Sequence, residues 1–192
     1  MPKPKFTINF ATSNKGKLKE FKQILEPGIK VNHIEISYPE IRSEDNEEIA
    51  RHSAQMLAKK FKKNIVVEDS GLFIKSLNGF PGAFSAWVHK KIGLNGIIKL
   101  MENSKDRRCE YRSAVAYCEP EKKAISFLGT EKGKIAEKIR GNFGFGHDPI
   151  FIPEGSSKTY GEMENAEEMK KFRRRAVEKL RDWLLKTKPL TP

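Results

Sequence analysis

Apolar and polar residues alternate along Phe6–Ala11, the two-residue period of a strand, and Thr12-Ser13-Asn14 supplies capping side chains directly after it. Leu18, Phe21 and Leu25 then recur at helical spacing until Pro27-Gly28 stops the segment. Residues 31–37 read as a second strand, broken at Tyr38-Pro39-Glu40 before an acidic stretch over 43–48. A second helix follows, with Ile49, Ser53, Leu57 and Phe61 on one face. It delivers the chain to Ile65, Val66 and Val67, a β-branched run of the kind buried on both faces of a sheet, which Leu72 to Ile74 resumes after a Ser70-Gly71 turn signal. This alternation of strand and helix predicts right-handed crossovers and neighbouring parallel strands.

The second half of the chain has a different rhythm. After the turn cluster Asn78-Gly79-Phe80-Pro81-Gly82, Phe84, Val88 and Ile92 begin a helix that is interrupted near Gly93 and Gly96 and resumes with Ile97, Ile98 and Met101. That segment suits either core or a subunit interface, and so does its Trp87. Residues 109–118 alternate with Tyr111, Val115 and Tyr117 on one face, 124–128 form another short strand and 133–139 a third, all antiparallel in character. A glycine-rich loop over 141–149 precedes the apolar stretch 150–152. The end of the chain reads as one long helix over 164–186, its stripe formed by Met169, Phe172, Ala176, Leu180 and Trp183 and its start by a capping pair, Asn165 and Glu168. The pattern predicts an α/β fold with a mixed sheet, a parallel part first and an antiparallel part second, without repeats or linkers.

Composition narrows the setting. A chain of 192 residues buries a sizeable core without staples. Cys109 and Cys118 lie in one strand, roughly 30 Å apart, beyond disulfide reach, and read as free thiols of a reducing compartment. No apolar run has the length of a membrane span, and residues 1–5 lead into the first strand without an apolar leader, so the expected location is the cytoplasm. The net charge of +12 calls for an anionic partner. Charge alone leaves open whether that partner is a polymer, a membrane surface or a small phosphorylated molecule.

Candidate chemistry centres on Glu68 and Asp69, two acids inside an apolar run. At a strand end they would suit a divalent cation or the activation of a water, the plain alternative being a hydrogen-bonded Asp-Ser-Gly turn. Glu40, ending another strand, could face them or be an exposed turn acid. The strand, polar turn and helix around Thr12 to Lys17 would aim backbone N–H groups and the side chains of Lys15 and Lys17 at one place, a geometry suited to phosphate. In the glycine-rich loop Phe145 or His147 could stack on a flat base, or be a core plug and a surface residue respectively. Arg173, Arg174 and Arg175 straddle the stripe of the last helix, as a solvated face or as contacts to phosphate or a purine edge.

Thr12-Ser13-Asn14-Lys15-Gly16-Lys17, Tyr38-Pro39-Glu40, Glu68-Asp69-Ser70-Gly71, Phe80-Pro81-Gly82 and Phe145-Gly146-His147-Asp148-Pro149 follow one another in a familiar order. The chain resembles the inosine triphosphate pyrophosphatases, from about Phe6 to the last helix. The resemblance implies a single nucleotide pyrophosphatase domain over 1–192: an elongated mixed α/β sheet flanked by helices, with two lobes and the active site in the cleft between them. It implies a homodimer, and a Mg²⁺-dependent hydrolase that converts non-canonical purine nucleoside triphosphates (ITP, dITP, XTP) to the monophosphate and pyrophosphate. Carried over by position, Thr12, Ser13, Asn14, Lys15, Gly16 and Lys17 correspond to the triphosphate-binding turn, Asp69 to the proton acceptor and Ser70 to a substrate contact. Glu40 and Asp69, with Glu68, would hold Mg²⁺, and Phe145, Gly146, His147 and Asp148 would hold the purine.

The departures lie at basic positions. Where the family often has a lysine followed by Ser-His-Arg, this chain reads Met169-Lys170-Lys171-Phe172-Arg173-Arg174. Ungapped placement puts Arg173 on the His and Arg174 on the Arg, a shift by one residue being equally defensible. Either arginine is a candidate donor to the 6-keto group of the base. Gln55 stands for a frequent lysine and His147 for a frequent Trp or Tyr. The alternatives are a related pyrophosphatase of other base preference and, in a different class, a basic nucleic-acid-binding module. Acids at the centre of the site argue against the latter, so no nucleic acid partner is expected.

Overall fold

The computed structural model describes residue 4 and residues 6–187. The reading of 1–5 as a lead without an apolar leader falls, save for Pro4, outside the described residues. In chain order the elements are β1 (Phe6–Ala11), α1 (Lys15–Leu25), β2 (Ile29–Ile34), α2 (Asn46–Phe61), β3 (Ile65–Ile74), β4 (Pro81–Gly82), α3 (Ser85–Leu100), β5 (Arg108–Cys118), β6 (Ile125–Ile135), β7 (Phe151–Pro153), α4 (Ala166–Met169) and α5 (Lys171–Thr187). The strands make one seven-stranded sheet in the order β2-β1-β3-β5-β6-β7, with β4 paired to β3. β1 runs parallel to β2 and β3, whereas β3–β4 and β6–β7 are antiparallel, as the change of rhythm along the chain predicts. Among the described residues no helix is long and apolar enough to cross a membrane.

Contacts gather the described residues into two compact units: 6–69, 113–129 and 173–187, and 70–112 with 130–172. In the first unit Ile8, Phe10, Val66, Val115 and Tyr117 pack with Phe21 of α1 and Val177 and Leu180 of α5, the Phe10 and Phe21 rings stacking at 3.9 Å. The residues of opposite parity, Ala11, Ile65, Val67, Ala114 and Ala116, pack instead with Ala50, Ala54 and Leu57 of α2. Alternate side chains of a strand leave opposite faces, so the unbroken run Ile65, Val66, Val67 is buried on both, as its composition requires. The second unit has its own core, with Leu72, Ile74, Tyr111, Ile150, Phe151 and Phe172 among its members.

Several expectations fail for identifiable reasons. β2 stops at Ile34 instead of reaching 37 because its ladder partner β1 ends at Ala11, opposite Ile34. The acids do not end a strand: β3 continues through Ser70-Gly71 to Ile74, and Gly71 is needed because a Cβ there would stand 2.1 Å from the Gly82 carbonyl oxygen of β4. The strands expected at 124–128 and 133–139 are one, β6, whose continuity was hidden by the polar run 129–132. α3 does kink at the expected place, with Gly93 at φ 63°.

The long terminal helix is broken. Lys170 is extended (φ −62°, ψ 121°), separating α4 from α5, and Asn165 makes no side-chain cap. Instead Glu131 of β6 caps α5 from a distance, its Oε2 accepting from the N–H groups of Lys171 (2.9 Å) and Phe172 (3.3 Å) while Oε1 accepts from the Tyr160 hydroxyl at 2.6 Å. Removing this carboxylate exposes the positive end of α5 to no partner. Glu131→Ala is expected to lower stability by about 1–3 kcal/mol, a fall in Tm of roughly 3–10 °C in thermal unfolding, and an unchanged Tm would show the cap to be dispensable.

Candidate active site

The turn after β1 is held by its own side chains. Asn14 caps α1, its Oδ1 accepting from Gly16 N (2.9 Å) and Lys17 N (3.1 Å), and its own N–H donates to Thr12 Oγ1 at 3.1 Å. Two of the amides expected to face a phosphate are therefore already satisfied by Asn14, leaving the dipole of α1 and the Lys17 ammonium as the turn's positive contributions. Thr12 is buried, while Ser13 and Lys15 are exposed.

Lys17 leads to the centre of the first unit. Its Nζ lies 2.6 Å from Glu68 Oε2 and donates to the Glu68 carbonyl oxygen at 3.1 Å. Glu68 Oε1 in turn accepts from Ser113 Oγ and from Arg173 Nε (3.1 Å), and the Arg173 Nη1 is paired with Glu20 Oε2. Burial alone would raise the Glu68 carboxyl, but the Arg173 and Lys17 charges outweigh it and hold it at about 2. Both Glu68 oxygens are engaged, so joining a metal shell would require it to give up Lys17, Ser113 or Arg173. Arg173 is 1% exposed and does not lie on a solvated face. It is also committed to two carboxylates rather than presented to a base, whereas Arg174 is half-exposed, 3.9 Å from Glu178.

Asp69 stands in a different environment. Its Oδ2 accepts from Asn46 Nδ2 at 2.6 Å. Burial raises its carboxyl, Lys17 and the Asn46 hydrogen bond pull it down, and the charges of Glu40 and Glu68 raise it again, leaving it at about 7. Burial, followed by the charges of Glu40, Asp69 and Glu68, also raises the Tyr38 hydroxyl, so Glu40, on its exposed loop, contributes to the same negative field. Among the described residues no three His, Cys, Asp or Glu side chains converge as a ready metal cage. A carboxylate raised chiefly by burial, with the Glu40 charge close enough to raise it further, nevertheless fits Mg²⁺, which is commonly bound through one or two carboxylates with substrate phosphates and water.

The glycine-rich loop forms a second cluster, in the second unit. Asp148 Oδ2 accepts from Phe145 N at 2.7 Å and pairs with Lys170 Nζ at 2.8 Å, with both side chains buried. The same ammonium lies 4.1 Å from the centroid of the Phe145 ring. Gly144, at φ 74°, is obligatory, since a Cβ there would come within 2.2 Å of the Asp148 carboxylate. His147 is buried rather than at the surface; its ring meets His89 edge-on at 5.2 Å, and burial, with His89 beside it, holds it down at about 4. Ser70 is half-buried and Gly146 exposed. A cavity of about 760 Å³ in this unit, bordered by Phe73, Arg112, Lys132 and Lys134, contains none of these residues.

Asn46, Ser113, Glu20 and Lys170 did not emerge as site residues from the sequence. One carried a signal: Ser113 is the polar gap in the inward row Tyr111, Val115, Tyr117.

Comparison with known proteins agrees along most of the chain. The family model described as Ham1 family matches residues 8–183. A protein named dITP/XTP pyrophosphatase from Methanopyrus kandleri is 47% identical over 178 residues, covering 92% of this chain and 95% of that one. One of the same name from Thermococcus kodakarensis is 43% identical, covering 92% and 96%. Among solved structures, a HAM1 protein from Coxiella burnetii superposes with a TM-score of 0.81 at 29% identity, covering 95% of this chain and all (100%) of that one. The Staphylococcus aureus Ham1 protein gives 0.80 at 28% identity, covering 94% and 100%.

Asp69 and Glu68 make opposite contributions to stability. Glu68, held near 2, stabilises the fold above its ordinary range and loses that contribution as pH falls toward 2. Asp69, held near 7, favours the fold while protonated, and its ionisation weakens the fold progressively between about pH 4 and 7. Without divalent metal, Asp69→Asn is therefore expected to raise Tm by roughly 3–8 °C at pH 8 and hardly at all at pH 4. Equal shifts at both pH values would contradict the raised carboxyl.

Proposed function

The chain belongs to the Ham1 family, and from that premise we propose that it hydrolyses non-canonical purine nucleoside triphosphates such as ITP, dITP and XTP to the monophosphate and pyrophosphate, with Mg²⁺ as cofactor. The observation that carries the reading is Asp69: a carboxylate raised to about 7 next to the cationic turn at Lys17, and so able to take a proton at neutral pH. Lys17 and the N-terminus of α1 bind the phosphates. Asp69 accepts the proton of the attacking water as its oxygen joins phosphorus and pyrophosphate departs with the electron pair of the broken bond. Glu40 and Asp69 would hold Mg²⁺, whose charge offsets that of the phosphates. Glu68 keeps Lys17 in place and leaves the metal to its neighbours. Phe145, Gly146 and the Asp148–Lys170 pair receive the purine, and Ser70 contacts the substrate.

The same proposal includes a single functional domain, a homodimer and a cytoplasmic location. Phe80, Phe84, Trp87 and Ile92 are all exposed along one stretch of the second unit, Trp87 by 62%, which favours that surface for a partner copy. Cys109 and Cys118 are buried free thiols, compatible with a reducing compartment.

Pyrophosphate release from ITP with and without Mg²⁺ tests the reading directly, and release that ignores the metal or fails altogether would refute it. Asp69→Asn is expected to lower kcat by at least roughly a hundredfold with substrate still bound. Near-normal turnover of that variant would remove Asp69 from the chemistry. A 6-keto purine offers an acceptor where adenine offers an amino donor, so the backbone N–H groups of the loop, with the Lys170 ammonium packed against it, should prefer ITP to ATP by at least roughly a hundredfold in kcat/KM. Comparable values for the two would leave a general triphosphate pyrophosphatase without base selection.

A further inference from the structure

Asn46 is the first residue of α2 and is 3% exposed. It has no part in capping that helix, because Asp45 does so, its Oδ1 accepting from Glu47 N at 2.8 Å. The Asn46 Nδ2 is spent on Asp69 Oδ2 at 2.6 Å, and its Oδ1 is buried without a hydrogen-bond partner. Only the amide nitrogen can face an ionised carboxylate, so the orientation of the group follows from its neighbour. A leucine of similar size would fill the same space without an orphaned oxygen, and a buried unpaired acceptor is unfavourable. The amide is therefore poorly explained by packing or by helix formation. It is explained by the one hydrogen bond it makes.

We infer that Asn46 is a positioning residue for Asp69: by holding Oδ2 it fixes the rotation of the carboxylate and leaves Oδ1, which has no hydrogen-bond partner among the described residues, as the oxygen that meets water and metal. Groups that orient a metal-binding carboxylate typically change metal affinity or activity by about 10–100-fold when removed. The inference rests on the pyrophosphatase reading for its activity measurement and on Asp69 alone for its metal measurement.

Two variants test it. Asn46→Leu removes both polar atoms at nearly constant volume; Asn46→Asp keeps the shape, is favoured in the first turn of a helix, and replaces the donor by a second carboxylate. In both, kcat for ITP is expected to fall about 10–100-fold with KM within about threefold, and in Asn46→Leu Mn²⁺ affinity, read by electron paramagnetic resonance, is expected to weaken by about tenfold while Tm does not fall. Should Asn46→Leu fail to fold, Asn46→Asp carries the kcat and KM measurements. Values of kcat and Mn²⁺ affinity within about twofold of the unmodified protein would overturn the inference. So would a rise in KM with kcat unchanged, or a loss of Tm with full turnover per folded molecule. An unmodified protein that releases no pyrophosphate from ITP would refute the proposed function instead, and the Mn²⁺ titration would still decide the role of Asn46.

Discussion

The first unit depends on a buried carboxylate. Glu68 sits on β3 and gathers Lys17 from α1, Ser113 from β5 and Arg173 from α5, with Glu20 of α1 balancing the arginine. Two acids and two bases are thereby neutralised inside a core that is otherwise aliphatic and aromatic. Burying such groups is unfavourable in itself, and breaking one partner out of a buried pair is worse, at about 3–5 kcal/mol. The arrangement gains a fixed geometry: the turn at Asn14, the middle of β3 and the start of α5 are tied to one another through hydrogen bonds of defined direction.

Because successive side chains of a strand leave opposite faces, the adjacent acids cannot share one environment. Glu68 has the parity of Val66 and faces the α1 and α5 side; Asp69 has the parity of Ile65 and Val67, whose face packs with α2, and there it meets Asn46. One face supplies two cations and lowers a carboxyl to about 2; the other supplies a single neutral amide and leaves its neighbour at about 7. A pair that reads in sequence as two equivalent acids thus becomes a structural acid and a reactive one. Glu68 is taken up by Lys17, Ser113 and Arg173 for this reason, and no property of the dipeptide itself could have revealed it.

Legibility followed the same division. Elements with clean periodicity, β1, α1, α2 and the β-branched start of β3, can be placed from residue order alone, as can the kink at Gly93 and the shift from parallel to antiparallel pairing. Reading failed where a polar residue faces inward. Ser70-Gly71 looks like a turn because the approach of Gly82 that requires a glycine comes from a segment eleven residues away; the run 129–132 looks like a break because Glu131 points to Tyr160 and to the start of α5. The terminal helix looks continuous because Lys170 has ample helix propensity, yet its side chain is 1% exposed and paired with Asp148. Each error concerns a partner distant in sequence, which periodicity does not encode.

Within the first unit, stability and reactivity are distributed between neighbours. A carboxylate held near 7 weakens the fold whenever it is ionised at neutral pH, and an isolated group of this kind would be open to relaxation toward solvent. Here relaxation is opposed on both sides of the residue. Glu68, one position earlier, is anchored by three partners, and Asn46 holds Oδ2 from α2. The backbone of β3 at this point cannot rotate Asp69 outward without also pulling Glu68 from Lys17 and Arg173. The buried ion network is therefore more than a substitute for hydrophobic packing: it keeps a high-energy carboxylate where its proton affinity is useful, and a core of aliphatic residues at the same positions would leave Asp69 without that restraint.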